Sequence, residues 1–243
     1  MQASDPTRFI LMNTSHPGNV GAAARAMKVM GFTDLVLVAP RFDDVLQQPE
    51  ALAMASGATD VLQRARVVAT LTDALDGVSF ACATAMTPRD FGPPTHAPRE
   101  LFATLRESTH GVAFVFGSER FGMSNDDVYR CHACLSIPTD PQYGSLNLAQ
   151  AVQLLAYDWR QALGGFGVAA RTADPHWADG VAVQGLLEHW QRALVDIGFL
   201  DPEVPRKLMP RLNQLLNRCE LTQQEVHILR GIARAAVVAA SRR

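Results

Sequence analysis

The chain's pattern points to an α/β fold: a mostly parallel sheet with helices on both faces, followed by a small all-helical domain. Three observations lead there. Short apolar runs alternate with helical patterns through the first two thirds. Three Gly-, Pro-, Ser- or Asn-rich segments each begin where a strand-like run ends. A stretch poor in periodicity, residues 164–180, then separates this region from one with helical spacing alone.

Strands are expected at Phe9–Met12, Leu35–Val38, Val67–Ala69, Val78–Ala83, Val112–Phe116 and Leu135–Ile137. Helices are expected near Val20–Met30, Pro49–Ala55, Thr72–Leu75, Arg99–Arg106 and Asn125–Tyr129, with a long one from Leu146 to Leu163. In the long helix Leu148, Val152, Leu155, Ala156 and Trp159 make one apolar stripe. Past the linker, Val183, Leu186, Leu187, Trp190, Leu194 and Ile197 share a helix face. Leu208, Leu212, Leu215 and Leu216 suggest a short helix, and Thr222 with Glu225 is a capping-box signal for a last one. The predicted division is residues 1–163, a linker at 164–180, and a helical domain at 181–243.

The chain of 243 residues is 48% hydrophobic and 19% charged, a globular composition. No apolar run approaches the ~20 residues that cross a bilayer, and Arg8–Met12 is too short for a leader. A soluble cytoplasmic protein is expected. Cys82, Cys131, Cys134 and Cys219 form no disulfide-like framework; Cys131 and Cys134 have the spacing of half a zinc site without a second half, so no metal is expected. Net charge is −2, which alone argues against a nucleic-acid binder. Residues 201–243, however, hold eight basic and four acidic side chains, a charge of +4 against −6 for the rest. That asymmetry suggests a basic face for phosphates; a solvated helical surface is the plain alternative.

Gly18-Asn19-Val20-Gly21 follows the first strand and opens a helix. Its spacing is wrong for a dinucleotide fingerprint, and the second strand ends at Ala39-Pro40 without the acid that holds a ribose. The glycines permit a tight turn and close packing, and a helix N-terminus attracts phosphate. Arg25 stands among small alanines, able to present its guanidinium at the strand-end crevice. Gly117-Ser118-Glu119 ends another strand, where Glu119 could meet a cationic ligand, a ribose, or a surface arginine such as Arg120. Ser124 is read as a helix cap. Ser145-Leu146-Asn147-Leu148 turns out of the Ile137-Pro138 strand exit into the long helix.

Segments 13–31, 114–124 and 137–152, in this order, resemble the three motifs of the SPOUT class of RNA methyltransferases, most nearly its TrmH/TrmJ-type branch. The likeness covers roughly Phe9 to Trp159 and continues more weakly in the tail. It implies a deep trefoil knot, S-adenosylmethionine bound by the knot loops, a homodimer, and 2′-O-methylation of ribose in tRNA. The pyrimidine at nucleotide 32, at the start of the anticodon loop, is the implied target. By match, the cofactor residues are Thr84, Ala85, Met86, Gly117, Glu119, Ile137, Gly144, Ser145, Leu146 and Asn147. Arg25, Ser145 and Asn147 are the implied catalytic residues. Asn19, Arg25, Arg89 and Arg120, with Arg206, Lys207 and Arg211 in the tail, are candidate RNA contacts. The family's arginine is often given the role of base; a guanidinium that stays protonated suits a bidentate phosphate clamp better. Relatives are usually richer in Arg where this chain has Thr87-Pro88-Arg89. Action on ribosomal RNA or another tRNA position, and a non-catalytic RNA-binding adaptor, remain the alternatives.

Overall fold

The computed structural model describes residues 5–85, 89–105, 111–169 and 175–242. The chain forms two compact units, Met1–Gly167 and Val168–Arg243.

The first unit is built on a seven-stranded sheet. Its strands are β1 (Asp5–Met12), β2 (Phe32–Val38), β3 (Arg66–Val68), β4 (Phe80–Thr84), β5 (Thr95–His96), β6 (Val112–Phe116) and β7 (Ala133–Leu135). Their order is β3-β2-β1-β6-β4-β7-β5, and each neighbouring pair of these strands runs parallel. Parallel strands need crossovers, and the helices that supply them bury both sheet faces. One face packs Phe9, Leu11, Phe114 and Phe116 against helices α1 (Pro17–Val29), α2 (Pro49–Ala55), α3 (Thr59–Arg64), α5 (Pro98–Leu105) and α7 (Leu148–Ala162). The other packs Ile10, Val36, Ala81 and Val115 against α4 (Leu71–Ala74) and α6 (Asn125–Tyr129). Strand alternation explains the split: neighbouring residues such as Phe9 and Ile10 point to opposite faces.

The long helix α7 is pinned at its far end. Trp159 is buried and donates from Nε1 to Thr7 Oγ1 on β1 at 2.8 Å. Arg160 lies between two rings, 4.5 Å from the Phe32 centroid and 5.0 Å from that of Phe166, and donates to the Met30 carbonyl at 2.7 Å. Phe166 therefore belongs to the first unit, past the helix end.

Several elements differ from the pattern in the sequence. The edge strand β5 and the helix α3 are additions to it; two residues and six are too short to show a period. Strand β4 starts at Phe80, not Val78, because Val78 closes a turn onto the Leu75 carbonyl at 2.9 Å. Strand β7 ends at Leu135, which leaves Ile137 in the following loop; Pro138 next to it has no N–H to extend a ladder. Helix α7 begins at Leu148, because Asn147 is its N-cap.

The second unit contains α8 (Gly180–Asp196), α9 (Leu208–Arg218) and α10 (Gln223–Ala240). The Thr222–Glu225 capping box forms as expected, with Glu225 N–H donating to Thr222 Oγ1 at 3.2 Å and Thr222 N–H to the Glu225 carboxylate at 2.7 Å. Val183, Leu186, Leu187, Val226 and Ala233 are among its buried apolar side chains on α8 and α10, whereas α9 buries none.

Candidate active site

Strands β6, β4 and β7 are neighbours in the sheet and, being parallel, deliver their following loops to the same edge. Open α/β sheets bind ligands at this edge. Thr84 and Ala85 end β4, Gly117 follows β6, and Ile137 and Gly144–Asn147 follow β7. Thr84 Oγ1 donates to the Val115 carbonyl at 3.0 Å, and Ala85 N–H to the Leu135 carbonyl at 3.1 Å, so each loop is tied to its neighbour. Gly117 has no room for a side chain: a Cβ would lie 2.5 Å from the Gly122 oxygen and nearer still to its carbonyl carbon. Met86 lies outside the described residues. Ile137, Gly144 and Leu146 are half-buried and Ser145 is exposed. Half-buried aliphatics beside loop backbone suit an adenine ring and its ribose, so these loops fit S-adenosylmethionine.

A chain of hydrogen bonds joins all three motif segments. Glu119 accepts at Oε1 from Asn19 Nδ2 at 2.9 Å, and at Oε2 from the N–H and hydroxyl of Ser15 at 3.0 Å each. Asn19 Oδ1 in turn accepts from Asn147 Nδ2 at 3.0 Å. Asn147 Oδ1 caps α7 by accepting from Ala149 N–H at 2.9 Å, while Gln150 reaches back to Asn147 N–H at 3.0 Å. The Glu119 carboxylate is thus held by Ser15 and Asn19. Ser15 carries no signal in the sequence, since a Ser ahead of a Pro-initiated helix reads as an ordinary turn residue.

No acidic residue lies in the first turn of α1, but two distant carboxylates stand near its N-terminus. Glu119 accepts from Ser15 just ahead of the helix and from the Asn19 side chain, and the Glu50 Oε1 would stand 2.6 Å from a Cβ on Gly18. The open cation here is Arg25, two turns in. It is exposed, and among the described residues no hydrogen bond or ion pair engages it. Arg25 and Leu146 line one shallow groove of about 680 Å³ between α1 and α7, with Ala22, Val29, Ala149 and Leu154. Val29 is 58% and Leu154 42% exposed, so this groove has an apolar, uncovered rim.

Burial opposes the charge on Glu119, but its bonds from Asn19 and Ser15 outweigh that penalty, and its carboxyl is held below the usual range. It is an acceptor at neutral pH, not an acid. A lowered carboxyl stabilises the fold above the unfolded-state value of about 4.3, and the gain fades as pH falls through the folded value. The melting-temperature gap between wild type and Glu119→Gln should therefore hold steady above about pH 5 and narrow as pH falls below about 4.3. A gap independent of pH would show that the ionised form contributes nothing.

Of the remaining candidates, Arg120 is exposed on the turn after Glu119 and Arg89 is half-buried in the loop after β4. Arg206, Lys207 and Arg211 lie at the start of α9 in the second unit, all exposed. That unit also holds a hollow of about 560 Å³ lined by His189, Arg192, Arg230 and Arg234, together with Glu188 and Asp196. Cys131 and Cys134 are buried; burial, then the neighbouring Cys134 and Asp127, pushes the Cys131 thiol up to about 12. His132 Nδ1 accepts from Ala81 N–H at 3.1 Å, and no group of three or more metal-binding side chains occurs among the described residues.

Comparison with known proteins agrees with this architecture. Residues 6–157 match the SpoU rRNA Methylase family, and residues 181–243 match the tRNA methyltransferase TrmJ, C-terminal domain. The tRNA (cytidine/uridine/adenosine-2′-O-)-methyltransferase TrmJ of Pseudomonas aeruginosa is 44% identical over 94% of this chain and 92% of its own length. The tRNA (cytidine/uridine-2′-O-)-methyltransferase TrmJ of Klebsiella pneumoniae is 40% identical over 93% of each. The crystal structure of TrmJ from Z. mobilis superposes with a TM-score of 0.80 at 33% identity, over 94% of this chain and 98% of that one.

Proposed function

The chain belongs to the SpoU methylase family, in its TrmJ branch, and we propose that it is a tRNA ribose 2′-O-methyltransferase using S-adenosylmethionine at the pyrimidine of nucleotide 32 in the anticodon loop. One observation carries the reading. The hydrogen-bonded run Glu119–Asn19–Asn147 draws the three motif segments together beside an exposed Arg25 that has no partner among the described residues.

Thr84, Ala85, Gly117, Ile137 and Gly144–Asn147 would hold the cofactor, which when bound supplies a methyl group on an electrophilic sulfonium. The protein's own task is then alignment and exclusion of water. Arg25 clamps the phosphate beside the target ribose with its planar fork and so orients the 2′-hydroxyl. The hydroxyl proton leaves to that phosphate or to water. Glu119 and Asn19 hold Asn147, and with Ser145 it stands at the transfer centre. The reaction needs no metal. A second copy of the chain packs on the apolar rim of this groove, at Val29 and Leu154, which completes a homodimer and leaves Arg25 open to RNA, and the protein acts on tRNA in the cytoplasm. Among the described residues no helix is long and apolar enough to cross a membrane.

The second unit holds tRNA through Arg206, Lys207 and Arg211. A chain cut after Gly167 keeps Phe166 on Arg160 and should still bind S-adenosylmethionine. Its tRNA affinity should fall, and its log–log salt slope should flatten by roughly 0.7–0.9 for each phosphate no longer neutralised. Radiolabelled methyl transfer to tRNA, with the site mapped, tests the activity; titrations at several salt concentrations test the second unit. Absence of transfer to tRNA defeats the reading, and parallel slopes defeat the role of the tail.

A further inference from the structure

We propose that Phe121 is the stacking platform for the base of the nucleotide whose ribose is methylated, with the Arg120 guanidinium beside it; this rests on the function proposed above. Single exposed apolar residues are ordinary. Three features set Phe121 apart.

The first is its mounting. The ring is 84% exposed at the tip of a tight turn. Ser118 N–H donates to the Gly122 carbonyl at 3.0 Å, Gly122 N–H to the Ser118 carbonyl at 2.9 Å, and Phe121 N–H to Ser118 Oγ at 3.2 Å. Gly117 packs its backbone directly on that of Gly122, so the tip is braced at its base. The second is the cation: Arg120 Cζ stands 5.7 Å from the ring centroid. A flat ring and a flat guanidinium, both exposed, make a surface for a base next to a phosphate. The third is position. Glu119, two residues before the ring, is bonded to Asn19 and through it to Asn147. The ring therefore rises from the turn that contributes to the junction of the three motifs.

The chemistry can use such a group. Bases in single-stranded RNA loops can be splayed out and stacked on aromatic side chains, and a base held in this way adds binding at the ribose attached to it. Stacking accepts any base, because each has a π-face. Tolerance of this kind suits a family whose relatives are named for cytidine and uridine together, one of them for adenosine also.

Full-length wild type, Phe121→Ala and Phe121→Trp would be compared in steady-state methyl transfer to tRNA. Alanine should raise the tRNA KM by about 5- to 140-fold, the range for removing one ring from beneath a base. The kcat at saturating tRNA and the cofactor Kd should stay within a few-fold, and tryptophan should restore the KM. A tRNA lacking the base at the methylated position should bind wild type more weakly but Phe121→Ala no more weakly than intact tRNA does. An unchanged KM, failure of tryptophan to rescue, equal losses on the abasic tRNA, loss of cofactor binding, or an altered sedimentation coefficient would each overturn the proposal. The last would place a second subunit on the ring. Wild type that transfers no methyl to tRNA would instead defeat the underlying reading.

Discussion

Arg25→Ala should lose at least about a hundredfold in methyl transfer, and Arg25→Lys should fare little better. The side chain is exposed on α1 and engages nothing among the described residues, so its removal should leave stability within about 0.5 kcal/mol of wild type. The loss comes from orientation. A misplaced reacting group costs about a hundredfold for roughly 1 Å, and the clamp on the adjacent phosphate sets where the 2′-hydroxyl stands. Lysine keeps the charge but not the two parallel donors, so the phosphate can turn about a single point. Cofactor affinity should stay within a few-fold, because the loops after β4, β6 and β7 are untouched. Single-turnover transfer, calorimetric cofactor binding and thermal melting, on both variants, make the comparison. Near-normal transfer by the lysine variant would mean that only charge matters there and that the bidentate clamp is wrong.

Much of this architecture is legible in the chain, and what is not has physical reasons. Strand β6 is five apolar residues, all buried, and reads as a central strand. Ser124 and Thr222 cap their helices as their spacing suggests, because capping is a contact between near neighbours. The bonds that assemble the site are of the other kind. Asn19 and Glu119 are 100 residues apart and Asn19 and Asn147 are 128 apart, so no local pattern reports them. From the sequence Glu119 could face a cationic ligand, a ribose or a surface arginine; its fold partners are a serine and an asparagine. Asn147 is readable as a cap but not as the donor to Asn19. Arg25 is marked out by its alanine neighbours, yet only the packing of α1 shows that it stands free.

Three helix glycines in this chain should respond to alanine in three ways. Propensity alone predicts a gain of up to about 1 kcal/mol at each. Gly231 lies in α10, exposed, with open space where a Cβ would go, so Gly231→Ala should realise that gain. Gly185 lies in α8, where a Cβ would come 2.5 Å from the Arg230 Nη2. The tip of an arginine can swing aside, so Gly185→Ala should come out near zero. Gly21 is buried where α1 meets α2. A Cβ there would lie 2.8 Å from the carbonyl carbon of Ala51, closer still to its oxygen, and 2.9 Å from Ala55 N. Those are backbone atoms of a packed helix and cannot rotate away. Overpacking costs about 1–3 kcal/mol where side chains can adjust, and more where only backbone can move. The clash should win by about 2 kcal/mol or more, a drop of about 4–8 °C for a unit of this size. Since α1 also carries Asn19 and Arg25, forcing it off α2 should cut methyl transfer as well. Differential scanning calorimetry of the three full-length variants reads the first unit through Gly21 and the second through Gly185 and Gly231. Stabilisation by Gly21→Ala would show that the contact of α1 with the α2 backbone at Gly21 does not limit side-chain size there.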